Sequence, residues 1–339
     1  MAIHTLGIET SCDETAAAVV REGRVILSNV VASQVPLHVR FGGVVPEVAS
    51  RAHLESIVGV VEAALAEAGV SLDQVDQVAV TRGPGLVGSL LVGLCFGKSL
   101  AYGRGLPLVA VHHLLAHVYA NFLVEDPPEF PFVCLVVSGG HTDLVRVIDH
   151  GRWEILGRTR DDAAGEALDK VGRLMGLDYP AGPAIDRLSA GGNRRAISFP
   201  RAKLEPGSLD FSFSGLKTAA ARFLSQWTRE GGASLADVAA SFQEAVVEVL
   251  VEKAIAACRL TGTPRLAGAG GVTANRRLRA LLRERCTREG ISLHLPPVAL
   301  CTDNAAMVAS LGYYMWRLGK TSSWDVEASP NLGWEEGPT

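Results

Sequence analysis

The sequence lacks several features that mark common classes of protein. Its six cysteines are scattered without a CxxC pair, which argues against a disulfide framework or a cysteine-rich metal site and predicts a reduced protein. No apolar stretch reaches the ~20 residues of a membrane-spanning helix. The first residues show no basic segment followed by a long apolar run, so we expect no signal peptide and a cytoplasmic location.

Positive charge is also scarce. The chain has 339 residues and a formal net charge of -4, so the protein as a whole is not a basic nucleic-acid binder. Any RNA contact must come from local basic stretches or from a partner protein. Apolar residues make up 48% of the sequence, enough for a large core, and the length predicts about two domains of ~150 residues.

The order of predicted elements occurs twice. Residues 5–20 and 132–155 both read as strands joined by polar turns, each beginning a half of the chain. A strand, a Gly-rich turn and a helix follow at residues 75–86 and again at 265–275. A strand followed by a polar loop and a helix comes third, with strands at 106–111 and 293–300. This repetition predicts a duplicated α/β fold of the actin, Hsp70 and sugar-kinase type, with two facing halves around a central cleft.

We place the first half at residues 1–115, completed by a helix at about 304–325. The second half covers residues 116–303 and includes a helical insertion at about 160–255. The Gly-rich turns at 82–85 and 268–271 resemble anion sites, because free N–H groups at a helix N-terminus attract phosphate. We expect a nucleotide near turns 138–140 and 268–271, which we assign to opposite halves.

Two short motifs carry candidate chemistry. His113 and His117 are four residues apart, so on a helix both imidazoles share one face and can bind one metal ion; two ordinary histidines remain the alternative. A zinc-peptidase motif would have Glu after the first His, and here that residue is Leu114. Asp13 and Glu14 lie on a predicted hairpin turn, where a carboxylate can accept a proton, bind a metal or stabilise the turn itself. Further along, Asp161 and Asp162 are typical of helix caps.

Nine stretches, in this order, resemble the universal tRNA threonylcarbamoyladenosine transferase family, once described as sialoglycoproteases. They cover nearly the whole chain: residues 7–15, 45–53, 81–85, 112–117, 138–142, 161–170, 211–218, 270–278 and 301–307. One departure is Ala181, where the family usually has glycine. If that position needs a positive φ, alanine would cost about 1 kcal/mol.

The resemblance implies a set of roles. Asp303 joins His113 and His117 as the ligands of one divalent metal ion, with iron favoured and zinc or magnesium as alternatives. Asp13 and Glu14 match acidic residues needed for activity. The positions that match nucleotide-binding residues are Val136, Val137, Ser138, Gly139, Gly140, Asp169, Gly182, Asp186 and Asn275.

The implied reaction transfers threonylcarbamoyl from threonylcarbamoyl-AMP to N6 of adenosine-37 in the tRNA anticodon loop. The implied partners are an inactive paralogue and a P-loop ATPase, without a membrane. A small-molecule kinase of the same superfamily and a metallopeptidase are the alternatives. Candidate RNA contacts are basic residues that compete with an ordinary solvated surface: Arg194, Arg195, Arg201, Lys203, Arg276, Arg277, Arg279, Arg283, Arg285 and Arg288.

Overall fold

The computed structural model describes residues 2–202, 204–227 and 232–336. The chain divides into two compact units. Unit 1 comprises Met1–Pro127, Asp149–Arg152 and Pro296–Thr339, and unit 2 comprises Pro128–Ile148 and Trp153–Leu295. The functional halves assigned above at residues 1–115 and 116–303 stay a prediction. Within the described residues, no helix combines the length and apolar character needed to cross a membrane.

Unit 1 is built on a five-stranded sheet. Its elements, in chain order, are β1 (His4–Glu9), β2 (Glu14–Arg21), β3 (Val25–Ser33), α1 (Val35–His38), α2 (Pro46–Ala68), β4 (Gln77–Gly83), α3 (Val87–Arg104), β5 (Leu108–His112) and α4 (His113–Tyr119). The strand order is β3-β2-β1-β4-β5. β1 pairs antiparallel with β2 and parallel with β4, so its carboxyl end and that of β4 meet at one edge.

Unit 2 repeats this plan. Its elements are β6 (Phe132–Val137), β7 (Thr142–Asp149), β8 (Arg152–Arg158), α5 (Ala164–Leu174), α6 (Ala181–Leu188), α7 (Ser214–Gln226), α8 (Leu235–Thr261), β9 (Arg265–Ala269), α9 (Arg276–Glu289) and β10 (Ser292–His294). The order β8-β7-β6-β9-β10 matches that of unit 1 strand for strand, with β6 antiparallel to β7 and parallel to β9. The predicted duplication is therefore confirmed.

Burial explains why these segments form a layered fold. Every residue of β6 is buried, which is typical of a central strand covered on both faces. In unit 1 the last helix, α10 (Ala305–Arg317), packs against β1, β2 and β4. The predicted strand at 293–300 is wrong in length: β10 ends at His294, because Pro296 and Pro297 have no N–H to donate to a ladder.

The segment after α10 returns to the sheet of unit 1. The N–H of Ser329 donates to the carbonyl of Arg82, and the N–H of Gly85 donates to that of Pro330. A Cβ at Gly83 would collide with the Ser329 carbonyl. The turn at 82–85, predicted as an anion site, is therefore covered by the chain itself. Its glycines serve close backbone packing, and that prediction was wrong.

Candidate metal and catalytic site

The three predicted metal ligands lie together in unit 1. Their ligand atoms are all within 4.8 Å of one another. Nε2 of His117 is 3.0 Å and Nε2 of His113 is 3.6 Å from Oδ1 of Asp303. Both histidines come from the single short helix α4, which begins where β5 ends. Asp303 lies just before Asn304, the residue whose side chain caps α10.

His112 has a different role from the two histidines that follow it. Its Nδ1 accepts hydrogen bonds from the N–H groups of Leu114 and Leu115, so it caps α4. Its ring stacks on the buried Trp334, with ring centroids 5.2 Å apart. The C-terminal segment thus braces the helix that carries the candidate ligands.

Glu9 completes the surroundings of this group, and the sequence patterns did not single it out. Its side chain is fully buried at the end of β1, and Oε2 lies 3.0 Å from Nδ1 of His113. Thr81 also donates to Oε2, over 2.7 Å. An imidazole whose Nδ1 is held by a carboxylate presents Nε2 to a metal, a common arrangement around ligating histidines. In the sequence, the role of Glu9 is indicated only by its place as a polar residue at the end of an apolar strand.

Opposite charges face each other within this group. Burial alone would lower the pKa of His113, but the carboxylates of Glu9 and Asp303 outweigh it and raise that pKa to about 9. Burial would raise the pKa of Asp303, yet the charge of His113 and the hydrogen bond from His117 lower it to about 2. A cation entering at neutral pH would therefore take the place of a proton on His113.

The donor set fits a metal ion. Two imidazole nitrogens and one carboxylate oxygen converge, and Nδ1 of His117 is buried with no hydrogen-bond partner among the described residues. A hydrogen bond at Nδ1 to a described residue therefore does not explain how the ring of His117 is oriented. Two histidines with one carboxylate suit iron or zinc more than magnesium, which prefers oxygen ligands.

The acidic hairpin lies in the same unit. Asp13 is buried and Glu14 is partly buried at the start of β2, and a side-chain hydrogen bond joins them. Burial, with the negative charges of Asp303 and Asp13, raises the pKa of Glu14 to about 10. The turn is anchored to α3, because Thr10 donates to the carbonyl of Ser89 over 2.8 Å. Glu14 therefore keeps its proton at neutral pH in the protein without a bound cation.

The predicted nucleotide-binding residues all lie in unit 2. Val136 and Val137 end β6, and Ser138, Gly139 and Gly140 form the turn that follows. Both predicted phosphate turns, 138–140 and 268–271, belong to this unit, so their assignment to opposite halves was wrong. They adjoin because β6 and β9 pair in parallel, and a Cβ at Gly270 would collide with the carbonyl of Val137. By contrast, Gly139 and Gly140 border open space.

The remaining predicted binding residues hold helix ends in place. Oδ1 of Asp169 accepts from the N–H groups of Ala181 and Gly182 at the start of α6, over 2.8 and 3.0 Å. Asp186 pairs with Nε of Arg276 at 2.7 Å. Asn275 caps α9 through Leu278, and its Nδ2 donates to Gln243 over 2.7 Å.

Two further expectations concern this region. Ala181 is the first residue of α6 and does not have a positive φ, so alanine causes no backbone strain there. Asp161 and Asp162 do not cap α5, whose N-cap is Ala163. Asp161 instead accepts from the N–H groups of Phe213 and Ser214 at the start of α7.

Several candidate RNA-binding arginines are engaged within the protein. Arg276 pairs with Asp186, Arg277 with Glu244, Arg288 with Glu284 and Arg201 with Glu248. Arg279 donates to the carbonyl of Thr273. These pairs weaken the prediction of an RNA-binding stripe on α9. Lys203 lies outside the described residues.

Solved structures share the overall fold. The protein HypF of T. kodakarensis matches 93% of this chain and 48% of its own length, with a TM-score of 0.62 and 16% identity. Component A of the (R)-2-hydroxyglutaryl-CoA dehydratase of Acidaminococcus fermentans matches 92% of this chain and 98% of its own, with a TM-score of 0.53 and 15% identity. At such low identity these likenesses concern the fold alone. They place the chain in a class of duplicated α/β proteins, here with a His-His-Asp group.

Sequence relatives are far closer. A family profile for tRNA N6-adenosine threonylcarbamoyltransferase matches residues 25–310. A protein of that name from Symbiobacterium thermophilum is 57% identical over 328 residues, covering 97% of this chain and 96% of its own. Others from Geobacter sp. and Clostridium botulinum are 55% and 53% identical over 96% and 97% of this chain, and 95% and 97% of their own. The chain belongs to the tRNA N6-adenosine threonylcarbamoyltransferase family. Neither the kinase nor the metallopeptidase alternative is favoured.

Proposed function

We propose that this protein transfers the threonylcarbamoyl group from threonylcarbamoyl-AMP to N6 of adenosine-37 in tRNAs that read codons beginning with adenine. The product is N6-threonylcarbamoyladenosine, and AMP is released. One observation carries the proposal beyond family membership: the His-His-Asp group and the acidic hairpin lie together in unit 1. With a tRNA as substrate, we propose the cytoplasm as the place of the reaction.

The donor would be held through its AMP part by unit 2. The turn of Ser138, Gly139 and Gly140 offers backbone N–H groups, and the open space beside Gly139 and Gly140 leaves room for a phosphate. Among the described residues, a Cβ at Gly182 would meet only Oδ1 of Asp169, at 3.9 Å, so that backbone also leaves room for a ligand. Val136, Val137, Asp186 and Asn275 complete the proposed set.

His113, His117 and Asp303 would hold one metal ion, for which iron is our proposal and zinc or magnesium are the alternatives. When bound, the ion would supply a Lewis acid that polarises an oxygen of the donor. The chain contributes orientation: Glu9 and Thr81 fix the ring of His113, and His112 fixes the start of α4. Such positioning matters because the N6 amine of adenine is a weak nucleophile.

The acidic pair, Asp13 and Glu14, would take part in removing the proton from the N6 amine. N6 attacks the carbamoyl carbon, an N–C bond forms, and the C–O bond to the phosphate of AMP breaks. The amine must lose one proton. Asp13, whose side chain is hydrogen-bonded to that of Glu14, is our proposed acceptor of this proton. Glu14 would donate a hydrogen bond that holds Asp13 in place.

Helper proteins are part of the proposal, namely an inactive paralogue of this chain and a P-loop ATPase. Support comes from apolar side chains exposed on two adjacent helices of unit 1: Leu54 and Val58 on α2, and Val87 and Leu91 on α3. The helices touch where Gly88 leaves room for Ser50. Exposed apolar patches of this kind mark protein–protein contacts.

The experiment is a transfer assay with tRNA, synthetic threonylcarbamoyl-AMP and the helper proteins. We expect equal amounts of modified nucleoside and AMP by mass spectrometry, and no product from tRNA carrying guanosine at position 37. Asp13→Asn should lower kcat about 10²- to 10⁴-fold with unchanged circular dichroism. A wild-type protein that makes no product, or that phosphorylates a small molecule with ATP instead, would overturn the proposal.

A further inference from the structure

The segment that follows β3 has an inverted pattern of burial. It consists of α1 and a 3₁₀ turn, Val39–Phe41. The polar residues Gln34 and His38 are buried, with 4% and 0% of their surface exposed. Leu37, Val39 and Phe41 are 42%, 41% and 49% exposed. Apolar side chains are normally buried and polar ones exposed. The burial of two polar side chains beside three exposed apolar ones therefore needs an explanation.

Hydrogen bonds hold the buried polar side of the segment in place. Nε2 of His38 donates to Oε1 of Gln34 over 3.3 Å, and its Nδ1 accepts from the N–H of Val45 over 3.4 Å. Nε2 of Gln34 donates to Nδ1 of His53, whose Nε2 donates to the carbonyl of Cys12 over 3.0 Å. The network fixes the backbone of the segment, and Leu37, Val39 and Phe41 are thereby held facing out.

The same network ties the segment to the acidic hairpin. The N–H of Gln34 donates to the carbonyl of Asp13 over 2.8 Å, and Oγ of Ser33 donates to Oε1 of Glu14 over 3.3 Å. Seven residues of helical rise, at about 1.5–2 Å each, put Phe41 roughly 10–14 Å along the chain from Gln34. Phe41 is therefore within a few stacked nucleotides of a base whose N6 reacts at the hairpin.

The chemistry of the exposed tip suits an unpaired nucleobase. The guanidinium carbon of Arg40 lies over the ring of Phe41, 4.7 Å from its centroid. Among the described residues, Arg40 forms no ion pair with a carboxylate, so its charge is available to a phosphate. Proteins recognise single-stranded RNA loops by stacking bases on aromatic rings and arginine planes.

We propose that Phe41, together with Arg40, is a stacking platform for an unpaired base of the tRNA anticodon loop, beside the adenosine that reacts. The proposal rests on the transfer activity proposed above. It gives this acidic protein a local RNA contact that does not depend on the paired arginines of α9.

The test compares Phe41→Ala, Phe41→Tyr and Arg40→Gln in the complete transfer assay. Leu260→Ala, a change at an exposed apolar residue of α8 in unit 2, is the control. We expect Phe41→Ala to raise KM for tRNA about 5- to 100-fold, which is the usual range for losing one stacked base. KM for the donor and the metal content should not change. Phe41→Tyr should restore KM, and Arg40→Gln should reduce the salt dependence of tRNA binding by about one charge.

A second readout reports stacking directly. A tRNA with 2-aminopurine next to adenosine-37 should lose fluorescence on binding wild type and Phe41→Tyr, but not Phe41→Ala. If the wild type is active and Phe41→Ala has the wild-type KM for tRNA and the wild-type loss of fluorescence on binding, the stacking platform is wrong and the transfer function is unaffected. A wild type without product would count against the transfer function instead. If Phe41→Ala no longer binds a helper protein, but its KM for tRNA and its fluorescence loss on tRNA binding match the wild type, this surface binds protein and the proposal is wrong.

Discussion

Oε2 of Glu9 lies 3.0 Å from Nδ1 of His113, and this pairing directs the opposite nitrogen, Nε2, toward Asp303. The two residues are 104 positions apart in the chain and meet because β1 and β5 flank β4 in one sheet. Glu9 is buried with Thr81 on the same oxygen, so the carboxylate cannot turn away. Its effect on any bound metal would be exerted through the imidazole.

Removing that carboxylate should weaken metal binding without removing a ligand. We expect Glu9→Ala to lower metal affinity about 10- to 100-fold, the usual effect of losing a partner of a ligating histidine. Glu9→Gln should lose less, since its amide oxygen can still accept from Nδ1. Metal affinity by chelator competition and the visible spectrum of the cobalt-substituted protein are the measurements. Glu55→Gln, an exposed position on α2, is the matched control, and equal affinity in Glu9→Ala would contradict the role.

The three proposed ligands should behave differently from the neighbouring histidine. His117→Ala and Asp303→Ala each remove a ligand atom and should lose metal and transfer together. His112→Ala should keep its metal, because His112 caps α4 through backbone N–H groups. It should lose about 1 kcal/mol of stability, as for other helix caps. Elemental analysis and urea unfolding check both parts; stoichiometric metal in His117→Ala and Asp303→Ala would show that the ligands are wrong.

Glu14 should make the metal-free protein less stable as the pH rises. Its pKa is near 4.5 when unfolded and about 10 when folded, so between these values the folded state holds a proton that the unfolded state has lost. The free energy of unfolding must then fall with increasing pH across that window. Urea midpoints at pH 5, 7 and 9 with a chelator present measure this. The fall should be shallower in Glu14→Gln, and identical slopes in both proteins would exclude the effect.

Restoring the family's usual glycine at position 181 should bring no gain. Ala181 is helical, and its methyl group sits against Gly172, where a Cβ would collide with it. We expect Ala181→Gly to lower stability by about 0.5–1 kcal/mol, because glycine disfavours a helix. AMP binding, measured by calorimetry, should be unchanged. A more stable Ala181→Gly protein would mean that alanine is strained there after all.

The exposed apolar residues of α2 and α3 should determine association with helper proteins. Leu54→Asp and Leu91→Asp place a charge on that surface and should weaken co-purification with the paralogue at least tenfold, with an unaltered melting temperature. Leu260→Asp, also at an exposed apolar position, is the control. Normal association in both variants would direct the search for the interface elsewhere.

The sequence predicted the features that depend on local spacing. The i, i+4 relation of His113 and His117 and the repeated order of strands and helices are both visible over short stretches. Glu9 was not predicted, because nothing near it in sequence shows that it meets His113. The turn at 82–85 was misread for the same reason: Ser329 and Pro330, which cover it, are more than 240 positions away. Contacts set by tertiary structure, such as Asp161 at the start of α7, override local capping preferences.

Unit 1 is discontinuous, and its last portion, from Pro296, supplies both Asp303 and Trp334. During translation the N-terminal part of a chain emerges and begins to fold first. Here the third proposed ligand, and the ring that stacks on His112, leave the ribosome long after His113 and His117. We therefore expect products that stop before Asp303 to lack one proposed ligand and to be inactive, even though the segment that carries Arg40 and Phe41 has already been made.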